Sequence, residues 1–530
     1  MPAPSPANDF FHGFRQMSNT SSNLIESLLE YLVGVSEGEA PRLLETHISW
    51  VILAGSHAWK IKKPVNFGFL DFSTLAKRRA CCEEEVRLNR RLAPDYYLGV
   101  VSITRGKGGC RFDGEGPVVE YAVKMKRFDS GKQLDRLLEA GELSGDQMDA
   151  IADLVARFHL SGAAVSRERG HAEQVCEPAR DNFRHIEQLR GAALPPVFKD
   201  LHEWNTAACR DLRPVMEARR REGWIRECHG DLHLANMAWD EGAPLIFDCI
   251  EFNEGLRWID LMSEAAFLFM DLHARGSRTL GWRFLNRYLE HTGDYEGLRL
   301  FRFYLAYRAM VRAKIAALRF HQLPAGKEKE ATEEEFLRYL QLADSFRREQ
   351  QPRLVITRGL SGSGKSTYSG ILAEKAGFIR LRSDVERKRL AGLVAADGAG
   401  AAPEQGIYTP AMSEKTYGRL LELSGLLLDS GYSVIVDAAF LRREQRTPFM
   451  RLAADRGLPF RILELVATPD ELRRRLAARR DDVSDADAEV LEYQLASMEP
   501  LSDEEQARAV ILDTESGAGP DEWLSLTTAG

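Results

Sequence analysis

The sequence predicts a two-lobed α+β unit over residues 21–349, followed by a three-layer α/β unit with a parallel sheet over 350–530. Three observations predict it. Strand-like runs crowd residues 42–130, whereas helical patterns fill most of Ser144 to Phe346. That order implies a small β-rich lobe over about 21–128 and a helical lobe over about 129–349. A densely charged run, Gly326 to Glu335, leads through a helical stretch to Gln350-Gln351-Pro352, which breaks it. Residues 359–366 then read Gly-Leu-Ser-Gly-Ser-Gly-Lys-Ser, a complete G-x-x-x-x-G-K-[ST] phosphate loop.

The strand patterns of the small lobe include Trp50 to Leu53 and Pro117 to Tyr121. The helical lobe offers Met148 to Leu160 and Leu298 to Phe320. The phosphate loop sits between the buried-strand run Leu354 to Thr357 and a helix-like stretch from Thr367 to Lys375. Residues 1–20 open with a Pro/Ala/Ser-rich stretch and are expected to be a flexible tail, not a signal peptide.

At 530 residues the chain exceeds one core, since a domain averages ~150 residues. Hydrophobic content of 44% and charged content of 28% are those of a globular protein. The net charge of −8 argues against a nucleic-acid coat. The seven cysteines form no C-x-x-C pair, which implies reduced thiols and a cytoplasmic setting. No apolar run nears the ~20 residues of a membrane span; the most apolar, Ala265 to Leu272, contains Asp271.

The front-half chemistry centres on Cys228 to Asn236 and on Asp248, which ends a short apolar run. An Asp, an Asn five residues on and a second Asp meet the needs of phosphoryl transfer. Asp231 would accept the proton of an attacking hydroxyl, while Asn236 and Asp248 would hold Mg²⁺. The alternation of His229, Asp231 and His233 also allows a metal-ligand reading, which leaves Asn236 and Asp248 without work. For His229 itself, bracing of the loop is the preferred reading.

His229-Gly230-Asp231, with Asn236 and Asp248 after it, resembles the catalytic loop of aminoglycoside phosphotransferases and their protein-kinase-like relatives. The resemblance implies a nucleotide-binding lysine on the third strand of the small lobe and a glutamate on the next helix. Lys60 and Lys62 share one face of a strand and both fit; Glu85 supplies the carboxylate. Val119 to Met125 resembles the interlobe hinge, which implies adenine held through backbone groups around Glu120 and Ala122. The usual Gly-rich loop is not evident, and Ala54-Gly55-Ser56-His57 comes nearest. The stretch from Glu251 to Phe267 resembles a branch of the family found fused to a phosphate-loop domain.

In the back half, Gly359, Gly362 and Gly364 let backbone N–H groups turn toward phosphate, with Ser361, Ser363 and Thr367 in the same wall. Lys365 adds a point charge, and Ser366 can hold Mg²⁺. The apolar strand Ser433 to Val436 ends in Asp437, a second Mg²⁺ ligand acting through water. Ser383 and Glu386 form a capping-box pattern that starts a helix. This half resembles polynucleotide-kinase-like and zeta-toxin-like kinases of the P-loop NTPase fold. That resemblance implies that Asp384 activates the acceptor hydroxyl, and that Arg479 and Arg480 belong to a lid over the phosphates.

The combined reading is a bifunctional kinase using ATP and Mg²⁺ on small-molecule hydroxyl acceptors. Two others stay open. In one, a single half is the sole catalyst and its neighbour a nucleotide-sensing or docking module. The back half would otherwise act on nucleic-acid 5′ ends or nucleotide sugars.

Overall fold

A computed structural model describes residues 19–35, 40–68, 70–348, 351–393, 407, 409–478, 488–516 and 520–528. The tail expected over 1–20 falls almost wholly outside this set, as do Arg479 and Arg480. The chain divides into two compact units, the first comprising residues 1–147, 158–174 and 220–264, the second the remainder.

The first unit is built on a six-stranded antiparallel sheet. Its strands are β1 (Arg42–Glu45), β2 (Ser49–Ala54), β3 (His57–Lys62), β4 (Tyr97–Gly106), β5 (Gly109–Phe112) and β6 (Val118–Lys126), in the order β1-β2-β3-β6-β4-β5. Alternation gives the sheet two apolar faces. One packs Trp50, Ile52, Trp59, Ile61 and Ile103 against Leu24, Ile25, Leu28 and Leu32 of the helix Asn19–Val35. On the other, Tyr97 and Val123 meet Cys82 and Val86 of the helix Leu75–Asn89. That second helix starts at Thr74, whose side chain accepts from Lys77 N.

Past the sheet come β7 (Ile225–Glu227), a turn over Leu234–Asn236, the hairpin of β8 (Met237–Asp240) and β9 (Ala243–Ile246), and β10 (Trp258–Asp260), paired with β7. Ala54-Gly55-Ser56-His57 is the tight β2–β3 turn, Ala54 facing His57 across the ladder, and Gly55 carries φ +53°.

The second unit holds a five-stranded, all-parallel sheet. Its strands β11 (Leu354–Arg358), β12 (Ile379–Arg382), β13 (Val434–Asp437), β14 (Phe460–Val466) and β15 (Ala509–Asp513) run in the order β12-β13-β11-β14-β15. Every residue of β11 and β13 is buried, which is why these strands read as unbroken apolar runs. The loop after β11 and the end of β13 are neighbours at the carboxyl edge, where open α/β sheets bind ligands.

The same unit contains the helices Arg278–Thr292, Leu298–Gln322 and Lys327–Arg347. The charged run from Gly326 opens the last of these and leaves Phe336, Tyr339, Leu340 and Ala343 to its buried side. Cys81 is half-buried, the other six cysteines are buried, and all are free thiols. Among the described residues, no helix is long and apolar enough to cross a membrane.

Candidate functional sites

In the first unit, β3 sends Lys60 and Lys62 to the same face because strand side chains alternate. Their surroundings differ. Lys60 Nζ lies 2.9 Å from Glu85 Oε1 and also pairs with Asp248, with 11% of its side chain exposed. Lys62 is fully buried between Glu85 and Glu251. Glu85 therefore spans both lysines from the helix Leu75–Asn89. Burial works to discharge Lys62, but Glu251 and Glu85 outweigh it and push its pKa up. Burial pushes the Glu251 carboxyl up, against the pull of Lys62.

Asp231, Asn236 and Asp248 meet on the loop between β7 and β8 and just after β9. Asn236 Nδ2 donates to Asp231 O and Oδ2, both at 3.0 Å, which leaves its Oδ1 uncommitted to that contact. Asp248 carries φ +66°, an arrangement that costs a non-glycine residue on the order of 1–3 kcal/mol. Its backbone N–H donates to the buried Tyr97 hydroxyl at 3.1 Å. Burial works to raise the Asp248 pKa, and Lys60 beside it brings the net shift downward. The exposed parts of Asp231 and Asp248 are 37% and 45% of their side chains, so both carboxylates are open to a ligand.

Beneath them, Glu264 anchors the loop. Its carboxylate accepts from His229 N (3.1 Å), Gly230 N (2.5 Å) and His159 Nε2 (2.8 Å). Burial works to raise its pKa, yet these partners, the His159 hydrogen bond foremost, hold it at about 2. Since Phe247 O can only accept, His229 Nε2 carries a proton and donates to it at 2.8 Å. Asp231 N then donates to Nδ1 at 3.3 Å. Burial lowers the His229 pKa, in keeping with a neutral ring. His229 is thus a brace, and His229, Asp231 and His233 do not form a metal cluster among the described residues. The one His/Cys/carboxylate group found there joins Glu264 to His159 and Cys228.

Glu264→Ala strands two backbone donors and His159, and should lower unfolding free energy by about 3–5 kcal/mol in urea titrations. The folded-state pKa lies below the ordinary 4.5. Its stabilisation is therefore complete above pH 4.5 and drains away as pH falls toward about 2. Glu264→Gln should flatten that acid limb in urea midpoints measured between those two pH values.

Glu120 and Ala122 require a correction. Both are interior to β6, where Ala122 pairs with Ile61 of β3 and Val101 of β4, and Glu120 with Ile103. The Glu120 carboxylate is buried against Arg78, 2.8 Å away. Their backbone groups belong to the sheet, so neither is a hinge. The chain leaves the sheet only after Lys126, where Arg127 N donates to Ser56 O at 2.8 Å.

In the second unit, the phosphate loop joins β11 to the helix Lys365–Ala376, which begins two residues before the expected Thr367. Gly359 must be glycine: a Cβ there would stand 2.6 Å from Leu465 O. Lys365 Nζ donates to Gly359 O (3.0 Å) and Leu360 O (2.8 Å). Ser361 N donates to Gln494 Oε1 at 2.7 Å, and Ser363 Oγ is buried without a hydrogen-bond partner. Asp437 ends β13 and accepts from Ser369 Oγ at 3.1 Å.

Ser383 is not the expected cap. The helix Ser383–Leu390 has Arg382 at its N-cap position with no side-chain cap bond. The buried Glu386 pairs instead with Arg389. Asp384 lies in the first turn, 2.7 Å from Arg387 Nη1. A cavity of about 980 Å³ gathers Gly362, Gly364, Lys365, Ser366, Thr367, Asp384 and Asp437 into one wall, with Arg382, Arg387 and Arg442.

Glu251, Tyr97, Glu264, Arg382 and Gln494 had not been singled out as site residues. Each takes its role from a partner distant in sequence: Glu251 from Lys62, Tyr97 from Asp248, Glu264 from His229, Arg382 from Asp437 and Gln494 from Ser361.

The family model described as Phosphotransferase enzyme family matches residues 80–301, and that described as AAA domain matches 354–501. The uncharacterized protein Rv2004c of Mycobacterium tuberculosis is 35% identical over 450 residues, covering 84% of this chain and 88% of its own. The uncharacterized protein Mb2027c of Mycobacterium bovis matches with the same identity and coverage. Among solved structures, a choline/ethanolamine kinase family protein from Mesorhizobium loti is 11% identical, with a TM-score of 0.38, and covers 62% of this chain and 99% of its own. A gluconokinase from Sinorhizobium meliloti is 21% identical, with a TM-score of 0.25, and covers 34% of this chain and 91% of its own. The chain belongs to the family of these mycobacterial proteins and joins an aminoglycoside phosphotransferase-like, protein-kinase-like region to a P-loop kinase-like domain, a pairing that supports a phosphotransferase and implies the use of ATP.

Proposed function

We propose that the protein is a bifunctional kinase, each half moving the γ-phosphoryl group of ATP to a hydroxyl of a small-molecule acceptor. One observation carries the reading: each unit separately gathers a lysine, a candidate base and oxygen donors for a divalent cation. In the first unit these are Lys60, Asp231, Asn236 and Asp248; in the second, Lys365, Asp384, Ser366 and Asp437.

In the first site, Lys60 holds the nucleotide phosphates and Glu85 fixes its direction. Lys62, wholly enclosed, props Glu85 from below. Asp231 takes the acceptor's proton as the new O–P bond forms and ADP departs. In the second, the phosphate-loop N–H groups and Lys365 orient the triphosphate. Asp384, steered by Arg387, faces the acceptor. A loose phosphoryl transition state asks for little base strength.

Carboxylate, amide and hydroxyl oxygens suit Mg²⁺, so Asn236 with Asp248, and Ser366 with Asp437, fit as its ligands. There the ion would offset charge on the phosphates. The half-open Asp248 beside Lys60 supports the first assignment, and the shared lining of one cavity by Ser366 and Asp437 supports the second.

The test is a metabolite-pool screen with γ-labelled ATP on wild type, Asp231→Asn and Asp384→Asn. The reading expects each variant to lose a different labelled product. A screen in which neither variant loses any product would refute it.

A further inference from the structure

The helix Arg278–Thr292 lies within the segment matched by the phosphotransferase model, yet its buried face serves the phosphate-loop sheet. Asn286 and Glu290, one turn apart, are both buried. Asn286 clamps the edge strand β12. Its Nδ2 donates to Phe378 O at 3.0 Å, and its Oδ1 accepts from Arg380 N at 2.7 Å. Glu290 Oε1 accepts from Arg380 Nη2 (2.6 Å) and Nε (3.0 Å). Arg380 Nη1 donates onward to Ser366 O at 3.2 Å, at the foot of the phosphate loop.

The second carboxylate oxygen matters more. Glu290 Oε2 is 3.6 Å from Arg382 Nη1, and Arg382 Nε is 3.7 Å from Asp437 Oδ2. One guanidinium thus stands almost midway between two buried carboxylates. A cation against Asp437 competes with any divalent ion for the same charge, and competition is sharp where water is excluded. Glu290 shares that guanidinium and offsets its charge.

We propose that Glu290 is a positioning residue for the phosphate-loop site, holding Arg380 and Arg382 so that Asp437 stays available to the divalent ion that accompanies the nucleotide. This rests on the reading of that half as a nucleotide site. Glu290 touches neither nucleotide nor ion and acts through Arg382. The kinase-like region in front therefore supplies part of the back site's electrostatics. Burial works to neutralise Glu290, and Arg380 and Arg382 together shift its pKa down, in line with a retained charge.

The experiment titrates Mn²⁺ into the full chain with a non-hydrolysable ATP analogue and follows free Mn²⁺ by electron paramagnetic resonance. Binding lost in Lys365→Ala reports the phosphate-loop site. Glu290→Gln should weaken Mn²⁺ there by at least about fivefold, and the same change made on an Arg382→Gln background should have no further effect. Unaltered Mn²⁺ affinity in Glu290→Gln, or an equal loss on the Arg382→Gln background, would overturn the proposal. Should Glu290→Gln fail to fold, Arg382→Gln alone decides: tighter Mn²⁺ binding supports the proposal and weaker or unchanged binding overturns it. If Lys365→Ala removes no binding at all, the nucleotide-site reading falls, and this inference with it; if only the Glu290 effect is missing, that reading survives.

Discussion

Asp231→Asn should reduce phosphoryl transfer at the first site by about 10²–10⁴-fold, the usual contribution of a general base. Asparagine keeps the size and most of the hydrogen bonding. Asn236 Nδ2 would still donate to the backbone oxygen of residue 231, at 3.0 Å in the native chain. The loop should hold because its anchor is Glu264, which binds His229 N and Gly230 N rather than the Asp231 side chain. The loss should therefore fall on kcat, with KM for ATP and the melting temperature nearly unchanged. Activity of the second site should be untouched. Steady-state kinetics on the labelled product of each half reads kcat and KM, and thermal denaturation reads the melting temperature. A drop in melting temperature that parallels the loss of activity would assign Asp231 to structure instead.

Lys62→Ala should lower unfolding free energy by about 3–5 kcal/mol, the cost of removing one partner from a buried ionic cluster. It leaves Glu85 and Glu251 facing each other with no cation between them, and both side chains are almost completely enclosed. Lys60→Ala should behave in the opposite way. Its side chain is 11% exposed and it faces the half-open Asp248, so the fold should persist while ATP-analogue binding at the first site is lost. Urea denaturation beside calorimetric binding separates the two lysines. If Lys60→Ala unfolded the protein and Lys62→Ala abolished binding alone, their assigned tasks would be exchanged.

Lys60 and Lys62 illustrate how far the sequence could be read. Strand alternation put both on one face, and the helix carrying Glu85 was legible from its pattern. Which lysine is enclosed was not, because that depends on Glu251, almost two hundred residues away. The phosphate loop was legible because each of its requirements is local: a buried strand, glycines at tight approaches, and a helix start. Gly359 against Leu465 O is the physical reason for one of those glycines.

Glu120 and Ala122 were misread for a related reason. A hinge and a central strand share the same apolar alternation, and only the ladder partners separate them, β3 and β4 for Ala122 and β4 for Glu120. Ser383 satisfied a capping pattern, but Glu386 found a stronger partner in Arg389. Glu290 carries no local signature, and Glu264 lies in a stretch with a family resemblance that does not disclose its task. Each is one acidic residue on a long helix, and its meaning comes from His229 and Gly230 in one case and Arg380 and Arg382 in the other.

The central claim is that two independent pockets hold ATP. Isothermal calorimetry of the full chain with a non-hydrolysable ATP analogue and Mg²⁺ tests it most directly. The account predicts two equivalents bound by wild type, and one each by Lys60→Ala and Lys365→Ala. A wild-type stoichiometry of one, or identical loss of all binding in both variants, would contradict it.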